Sequence, residues 1–479
     1  MYNTALIIAV GKGSGTENGI IYSIKNNNPD KIVFLYSSES LEKLICILGK
    51  LKHEEPNFFQ AFLDEAKLNS KDFCDIDNEA IKTVKLRMDE IEDFRPVYRK
   101  CVLIIEELEK LGFKNDNIIV DFTFGTKAIT AGLIVASIFK KIKKCTYVGS
   151  GGEKRSSNGI VISGSENLNK IEPRIIYDDY NFEYFKSYFN SYKFAACMDL
   201  IESFSDRFFI RIFNRNKDSF DSAEKDIDYA HIIKSCFKKL VDGYYFWDKF
   251  DYESALERLK KIGDYKVFLL QLDLETFNKN IEFIENIVRL KKQGNKYPQD
   301  IAVDLFLNSI RREKEDKFDD ALIRCYRIIE YISQSVLFNE FGIDVGNVDL
   351  NKLKIILMQR NFSSADKDFD YIKKNIISEI TKRIGNAYKK TYITSGLQKN
   401  YKLLNILKHP LGIKFENDPE INNKLEIRNK SILIHGLDPI NKKNFDNLKE
   451  WVNSYLVDFL GNKKYEELFK FCCMANFIN

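Results

Sequence analysis

The 479-residue chain has few of the residues that mark zinc proteins and disulfide-rich proteins. It contains only four histidines, and its nine cysteines are scattered without a CxxC pair. A structural zinc ion needs clustered thiolate and imidazole ligands, so we expect no metal and no resident cofactor. The cysteines are typical of reduced, mostly structural thiols, which favours a cytoplasmic location. Three histidines have no other candidate functional groups around them and are predicted to be structural: His53, His231 and His409.

Long apolar runs and strong net charge are also absent. The longest apolar stretch, residues 129–139, is too short to span a bilayer and is predicted to form a buried helix. The N-terminus lacks the basic and apolar segments of a signal peptide. The chain has 74 Lys and Arg residues and 70 Asp and Glu residues. With so small an excess of positive charge, it should not bind long nucleic-acid duplexes through net charge. We therefore expect roughly two to four intracellular domains and no membrane partner, while a local basic cleft stays possible.

Residues 1–175 alternate between apolar strand segments and helical segments. This alternation predicts a mostly parallel, Rossmann-like α/β sheet. Helices are predicted over 19–27, over 37–52, over 93–112 and from 126 onward. Ser37 and Ser38 open the second of these helices, and Ser38 is its plausible cap. The predicted strands are 4–10, 31–36, 81–86, 117–123 and 144–149, with a hairpin strand at 160–163 that could close the sheet.

Three loops follow strands of this sheet, and all three contain residues suited to binding an anion. They span residues 11–16, 37–38 and 121–127. In a parallel sheet such loops meet beyond the carboxyl ends of the strands, where glycines, hydroxyls and helix starts favour an anion. We therefore predict a nucleotide or phosphate ligand, although the first loop could equally be a simple turn. The candidate binding residues are Gly11, Gly13, Ser14, Ser37, Ser38, Thr123, Gly125, Thr126 and Lys127.

The glycine pattern excludes two common nucleotide-binding classes. No segment matches GxGxxG or GxxxxGK[ST], which argues against an NAD enzyme and a P-loop ATPase. The run Asp121-x-Thr123-x-Gly125-Thr126-Lys127, followed by a helix of small residues, instead resembles the signature of CARF domains, the cyclic-oligonucleotide sensors of type III CRISPR systems. The loops Val10-Gly11-x-Gly13 and Tyr36-Ser37-Ser38 resemble the same family. The resemblance implies a homodimer that binds cyclic oligoadenylate, tetra- or hexa-adenylate, across its two-fold axis.

The remainder of the chain is predicted to be helical, with a connecting domain at 176–296 and a terminal domain at 297–479. The aromatic run 244–247 is interpreted as core packing rather than as an RNA-stacking platform. A helical hairpin is predicted at 240–262, and further helices at 319–338, 366–383, 419–435, 443–459 and 464–473.

The helix predicted at 419–435 carries an unusual pair of residues. Asp418 can cap its start and Gly436 its end, and Arg428 and His435 then share one stripe with Ile421, Leu425 and Ile432. An arginine suits phosphate oxygens and a histidine can move a proton near neutral pH, so together they could act on a phosphodiester. A paired surface arginine and a histidine near the helix end remain the alternative.

Two motifs of the terminal domain resemble those of HEPN ribonucleases. They are Asp320-Ala-x-x-Arg-x-Tyr-Arg327-x-x-Glu330 and Arg428-Asn429-x-Ser431-x-x-x-His435. Glu330 could orient an arginine or histidine, or simply pair with Arg327. The resemblance implies dimers that form one composite site. It also implies a metal-independent endoribonuclease that acts on single-stranded RNA and not on DNA, with Arg428, Asn429, Ser431 and His435 as catalytic residues. The competing hypothesis is a sensor or regulator whose HEPN-like domain serves only for dimerisation.

Overall fold

The computed structural model describes residues 4–54, 73–150, 162, 164–214, 223–269, 271–380, 390–393, 396–431, 433 and 439–477. The chain divides into two compact units. The first comprises Met1–Tyr184 and Phe204–Phe208, and the second comprises Phe185–Ser203 and Phe209–Asn479. The domain boundaries expected after residues 175 and 296 stay predictions.

The first unit is built on a six-stranded sheet in the order β3-β2-β1-β4-β5-β6. The first five strands are parallel, and β6 runs antiparallel to β5. The closing hairpin was therefore predicted correctly in kind, but its second strand is β6 rather than 160–163, most of which lies outside the described residues. The strands are β1 (Ala5–Ala9), β2 (Lys31–Ser37), β3 (Ile81–Leu86), β4 (Ile118–Asp121), β5 (Lys144–Ser150) and β6 (Glu166–Ile171).

Helices cover both faces of this sheet, as the buried, apolar central strands require. One hydrophobic core includes Ile7 and Val33 and packs against α3 and α4, while the other includes Leu6 and Ile8 and packs against α1 and α2. Ser38 does not cap α2: Ser37 caps a short 3-10 turn, Ser38–Ser40, which precedes that helix. The helices are α1 (Thr16–Asn27), α2 (Leu41–Glu54), α3 (Phe94–Lys110), α4 (Lys127–Phe139) and α5 (Arg174–Asn190).

The rest of the chain is helical apart from one short antiparallel ribbon. The helix predicted over 366–383 was too long, because it ends at Asn375 and the chain continues into the first ribbon strand. The elements are α6 (Phe194–Ser203), α7 (Asp206–Asn214), α8 (Ala223–Asp248), α9 (Tyr252–Lys260), α10 (Leu274–Lys292), α11 (Asp300–Lys314), α12 (Phe318–Asn339), α13 (Leu350–Arg360), α14 (Ala365–Asn375), β7 (Ile377–Ile380), β8 (Lys390–Ile393), α15 (Gly396–Ile406), α16 (Pro410–Glu416), α17 (Ile421–Lys430), α18 (Lys442–Leu460) and α19 (Asn462–Cys472).

A buried polar network fixes α11 within the second unit. The Asp304 carboxylate is fully buried and accepts hydrogen bonds from Trp247 Nε1 at 3.0 Å and Tyr252 OH at 2.8 Å. Arg311, also buried, donates from Nε to Asp248 Oδ1 at 2.9 Å. Trp247 and its neighbour Tyr244 are core residues, as predicted, whereas Tyr245 is partly exposed. These contacts join α8, α9 and α11 into one packed body.

The layout confirms a multidomain chain with an N-terminal α/β sheet followed by helical structure. Among the described residues, no helix is both long and apolar enough to cross a membrane.

Candidate functional site

The three loops predicted to bind an anion do converge in the first unit. They border a cavity of about 370 Å³ at the carboxyl ends of β1, β2 and β4. Ser14, Ser38 and Lys127 are exposed and lie outside its lining. The predicted residues that line it are Gly11, Gly13, Ser37, Thr123, Gly125 and Thr126. The sequence prediction therefore located the cavity, and six of its nine residues belong to the wall.

Glycine is required where two of these loops touch. A Cβ added to Gly11 would lie 3.2 Å from the backbone nitrogen of Gly125. Gly125 itself has a φ of +105°, a conformation that side chains with a Cβ rarely adopt. The Gly11 loop is therefore more than a simple turn, because its close packing against Gly125 closes one wall of the cavity.

Two threonines hold the loop between β4 and α4. Thr126 caps α4 by accepting a hydrogen bond from Ile129 N at 3.3 Å, and its hydroxyl donates to the carbonyl of Ile91. Thr123 Oγ1 accepts from Val148 N at 2.7 Å. Both hydroxyls thus position the loop, and both threonines line the cavity.

Asp121, at the end of β4, stabilises the loop between β4 and α4. Its carboxylate is fully buried and accepts from Ser23 Oγ at 2.5 Å, Thr146 Oγ1 at 3.0 Å and Thr123 N at 2.9 Å. Burial raises the pKa of the Asp121 carboxyl, and the three hydrogen bonds oppose that shift. The aspartate of the sequence motif therefore has a structural role in this unit.

Charged residues that the sequence analysis did not select also line the cavity. Lys12 Nζ lies 2.6 Å from Glu39 Oε2, and Glu92 belongs to the same wall. The hydrogen bond from Lys12 to Glu39 is the main cause that raises the lysine pKa. With one lysine facing two glutamates, the lining is not electropositive, so an anion must compete with Glu39 for Lys12. Lys12 could have been predicted as a lining residue, because it lies inside the glycine loop. No local pattern indicated that Glu39 and Glu92 line the cavity.

A second cavity, of about 610 Å³, lies in the helical unit between α12, α15 and α17. Both HEPN-like motifs contribute to it, although about a hundred residues separate them in the chain. Leu425 and Asn429 are four residues apart and present one face of α17 to the cavity. The lining residues are Ile323, Tyr326, Arg327, Glu330, Gly396, Leu397, Gln398, Leu425, Asn429 and Leu433.

Arg327 and Glu330 form the ion pair expected from their spacing. Arg327 Nη1 lies 3.0 Å from Glu330 Oε2 and also donates to Gln334 Oε1 at 2.9 Å. The guanidinium carbon sits 5.5 Å from the centre of the Tyr331 ring. These contacts confirm the salt-bridge interpretation, and they hold both charged groups in fixed positions on the cavity wall. A role for Glu330 in orienting another arginine or histidine stays a prediction.

The helix predicted over 419–435 is too long at its carboxyl end. The observed α17 ends at Lys430, because Ser431 Oγ accepts from Leu433 N at 3.3 Å and donates to Asp319 Oδ1 at 2.6 Å. The stripe from Ile421 to His435 therefore does not continue as one helix. Arg428 lies on α17, but its side chain is outside the described part of the structure, as are Ile432, His435 and the predicted cap Gly436.

Ser431 is held by residues far away in the chain. Its side chain is fully buried, and Asp319 at the start of α12 also accepts from Ile440 N at 3.0 Å through its other oxygen. The Asp319 carboxylate thus binds Ser431 and Ile440, which lie on either side of residues 432–439. Asn429, in contrast, is exposed and faces the cavity. Asp319 was missed from the sequence, since nothing local links it to Ser431.

His409 has the structural role expected for it. Its Nδ1 accepts from Leu411 N at 3.2 Å and so caps α16, and its Nε2 lies 3.4 Å from Glu340 Oε2. Burial is the main cause that lowers the pKa of His409.

The fold and the sites define a class of protein. One unit carries a parallel sheet whose loops border a cavity of about 370 Å³, and the other carries a helical domain in which Asn429 of the second HEPN-like motif borders a second cavity. This combination is that of an α/β domain followed by an all-helical domain that carries the HEPN-like motifs. Residues 291–458 match the family model described as the Csm6 HEPN domain. A comparison with curated proteins found no match.

The matched segment runs from the end of α10 into α18 and contains both HEPN-like motifs. It confirms the resemblance drawn from those motifs and supports a type III CRISPR-associated, Csm6-like CARF-HEPN ribonuclease. A HEPN domain of this family indicates nuclease activity with RNA as the substrate.

Proposed function

We propose that the protein is a cyclic-oligoadenylate-activated, metal-independent endoribonuclease that cleaves single-stranded RNA in type III CRISPR antiviral defence. The observation that carries the proposal is the Csm6 HEPN match over residues 291–458, within which Asn429 of the second motif borders a cavity. The enzyme acts as a homodimer in which two copies of the motif form one site.

RNA supplies its own nucleophile, the 2'-hydroxyl, so the protein must only align the strand, move a proton and stabilise charge on the phosphate. In this mechanism Arg428 holds the phosphate and His435 transfers the proton. Asn429 hydrogen-bonds the strand from the cavity side. Ser431 acts as a positioning residue, because its hydroxyl already binds Asp319 at 2.6 Å.

The chemistry predicts products that end in a 2',3'-cyclic phosphate and predicts that DNA, which lacks the nucleophile, is not cut. No metal ion or other cofactor takes part, so cleavage continues in EDTA.

Activation begins at the cavity of the first unit. A cyclic oligoadenylate, with tetra- and hexa-adenylate as the candidate rings, binds across two copies of this unit. It activates because it favours one dimer arrangement over another. Support comes from the convergence of Gly11, Thr123 and Gly125 around a cavity of about 370 Å³, which suits part of such a ring.

A fluorescent single-stranded RNA reporter in EDTA tests the proposal, with each cyclic oligoadenylate added separately. The His435→Ala variant should lose cleavage, whereas His231→Ala, which changes an exposed histidine of α8, should retain it. If His435→Ala cleaves RNA as fast as wild type, the assignment of the nuclease site is wrong.

The second candidate is a non-catalytic cyclic-nucleotide sensor or regulator whose HEPN domain serves for dimerisation. The near balance of 74 basic and 70 acidic residues favours it, since strong RNA binding usually relies on excess positive charge. Ligand binding by calorimetry without reporter cleavage would support this candidate.

A further inference from the structure

The cavity between α12, α15 and α17 has the chemistry of a base-recognition site. Its polar groups include the Glu330 carboxylate and the side-chain amides of Gln398 and Asn429. Both amide residues are exposed and can reorient to donate or accept. Apolar side chains, including Ile323 and Leu425, supply surfaces that can cover the face of a planar ring. At about 610 Å³ the cavity is large enough for a nucleotide.

Glu330 is the fixed acceptor in this wall. Its Oε2 accepts from Arg327 at 3.0 Å, and Arg327 is itself held by Gln334. Its Oε1 points toward Gly396 at the start of α15, where a Cβ would lie only 2.7 Å from that oxygen. The absence of a side chain at Gly396 therefore leaves room for the carboxylate. A carboxylate held in this way accepts hydrogen bonds and cannot donate them.

We propose that this cavity is a base-specificity site for the RNA strand and that Glu330 selects bases carrying an exocyclic amino group. Adenine, cytosine and guanine can each donate an amino N–H to the carboxylate, while Gln398 or Asn429 satisfies a neighbouring ring atom. Uracil has no amino group. Its one donor on this edge, N3–H, lies between two carbonyl oxygens, so a carboxylate that accepts from N3–H is also placed close to an opposing acceptor. The inference rests on the proposed RNA cleavage and adds the base preference at one position beside the scissile phosphate.

Sequencing of cleavage products from an RNA with all four bases in randomised contexts tests the proposal. Wild-type protein should disfavour uracil at one flanking position by roughly tenfold or more, as expected when a site built for an amino donor receives a base without one. Glu330→Gln keeps the size of the side chain but allows it to donate, so the discrimination should fall close to parity. Glu466→Gln, on the exposed surface of α19, is the matched control and should keep the wild-type pattern.

Gly396→Ala provides a second variant that leaves the charge of Glu330 intact. Its methyl group would occupy the space of Glu330 Oε1 and displace the carboxylate, so it should also reduce discrimination against uracil. Cleavage with the same base distribution in wild type, Glu330→Gln and Gly396→Ala would overturn the inference and leave the nuclease proposal standing.

Binding of CMP and UMP to the full chain, measured by calorimetry, separates failure of this inference from failure of the nuclease proposal. If no variant cleaves RNA, the nuclease proposal fails. The specificity site would still be supported if wild type binds CMP more strongly than UMP and Glu330→Gln loses that difference. Equal binding of CMP and UMP to wild type would overturn it.

Discussion

The hydrogen bond between Ser431 and Asp319 should hold the chain that follows α17 in place. Ser431 is fully buried and its hydroxyl donates to Asp319 Oδ1 at 2.6 Å, while Oδ2 of the same carboxylate accepts from Ile440 N. Ser431→Ala removes the donor. A hydrogen bond to a charged group contributes about 1.5–3 kcal/mol. Asp319 is only half-buried, so water can partly replace the lost donor, and we expect a cost near the lower end of that range.

A cost of about 1.4 kcal/mol corresponds to a tenfold change in an equilibrium constant. Amide hydrogen exchange measured by mass spectrometry should therefore show the Leu433 and Ile440 amides exchanging roughly tenfold faster in Ser431→Ala. Ser431→Thr keeps the hydroxyl and serves as the conservative variant. Ser454→Ala, which changes an exposed serine of α18, is the matched control.

The same variant separates a positioning role of Ser431 from a catalytic one. If Ser431 only positions the segment that leads to His435, RNA cleavage should fall in proportion to the increase in exchange, and Ser431→Thr should restore both. Unchanged exchange at Ile440 in Ser431→Ala would refute the reasoning. Lost cleavage with unchanged exchange would instead indicate direct contact of the hydroxyl with the RNA.

Three further predictions concern the cavity of the first unit and the acid stability of the helical unit. Glu39→Gln should tighten cyclic oligoadenylate binding severalfold in calorimetry, because it releases Lys12 from a solvent-exposed ion pair that stabilises the fold only weakly; unchanged affinity would show that Lys12 does not contact the ligand. Thr126→Ala combined with Lys127→Ala should bring the ratio of stimulated to unstimulated RNA cleavage close to one, and a ratio equal to that of wild type would exclude the site. Burial and the nearby Arg360 lower the pKa of His409, so the fold favours the neutral ring, and its contribution to stability is present above about pH 6.5 and is lost as the pH falls through the lowered pKa. His409→Asn, which keeps a capping acceptor, should therefore lose less thermal stability than wild type between about pH 7.5 and pH 5, and parallel losses in the two proteins would contradict this.

Several features of the fold followed from local patterns. The five parallel strands of the first unit were predicted within a few residues, because buried parallel strands have short apolar runs and the intervening helices have a different period. The position of the cavity in the first unit followed as well, since parallel strands bring their carboxyl ends to one edge. The Arg327–Glu330 pair was predicted from a spacing of three residues, which places two side chains on one helical face.

Errors arose where a local pattern competed with a distant contact. The apolar and capping pattern favoured a helix to residue 435, but Ser431 bonds Asp319 more than a hundred positions earlier and the helix ends at Lys430. The helix predicted to 383 gives way to β7 for a similar reason, since its pairing with β8 satisfies the backbone across the ribbon. Asp319 lies outside any local window around Ser431, whereas β8 begins only ten residues after β7 ends.

Periodicity and turn chemistry were sufficient to identify the α/β and helical parts and the glycine loops, and resemblance to a known family identified the two HEPN-like motifs. All of these depend on residues close together in the chain. Three features were decided by the tertiary structure alone. They are the ion pair of Glu39 with Lys12 at the first cavity, the space that Gly396 leaves for the Glu330 carboxylate at the second, and the hydrogen bond from Ser431 to Asp319. Each of these depends on how separate elements pack, and the hydrogen bonds and close approaches between them have no local signature.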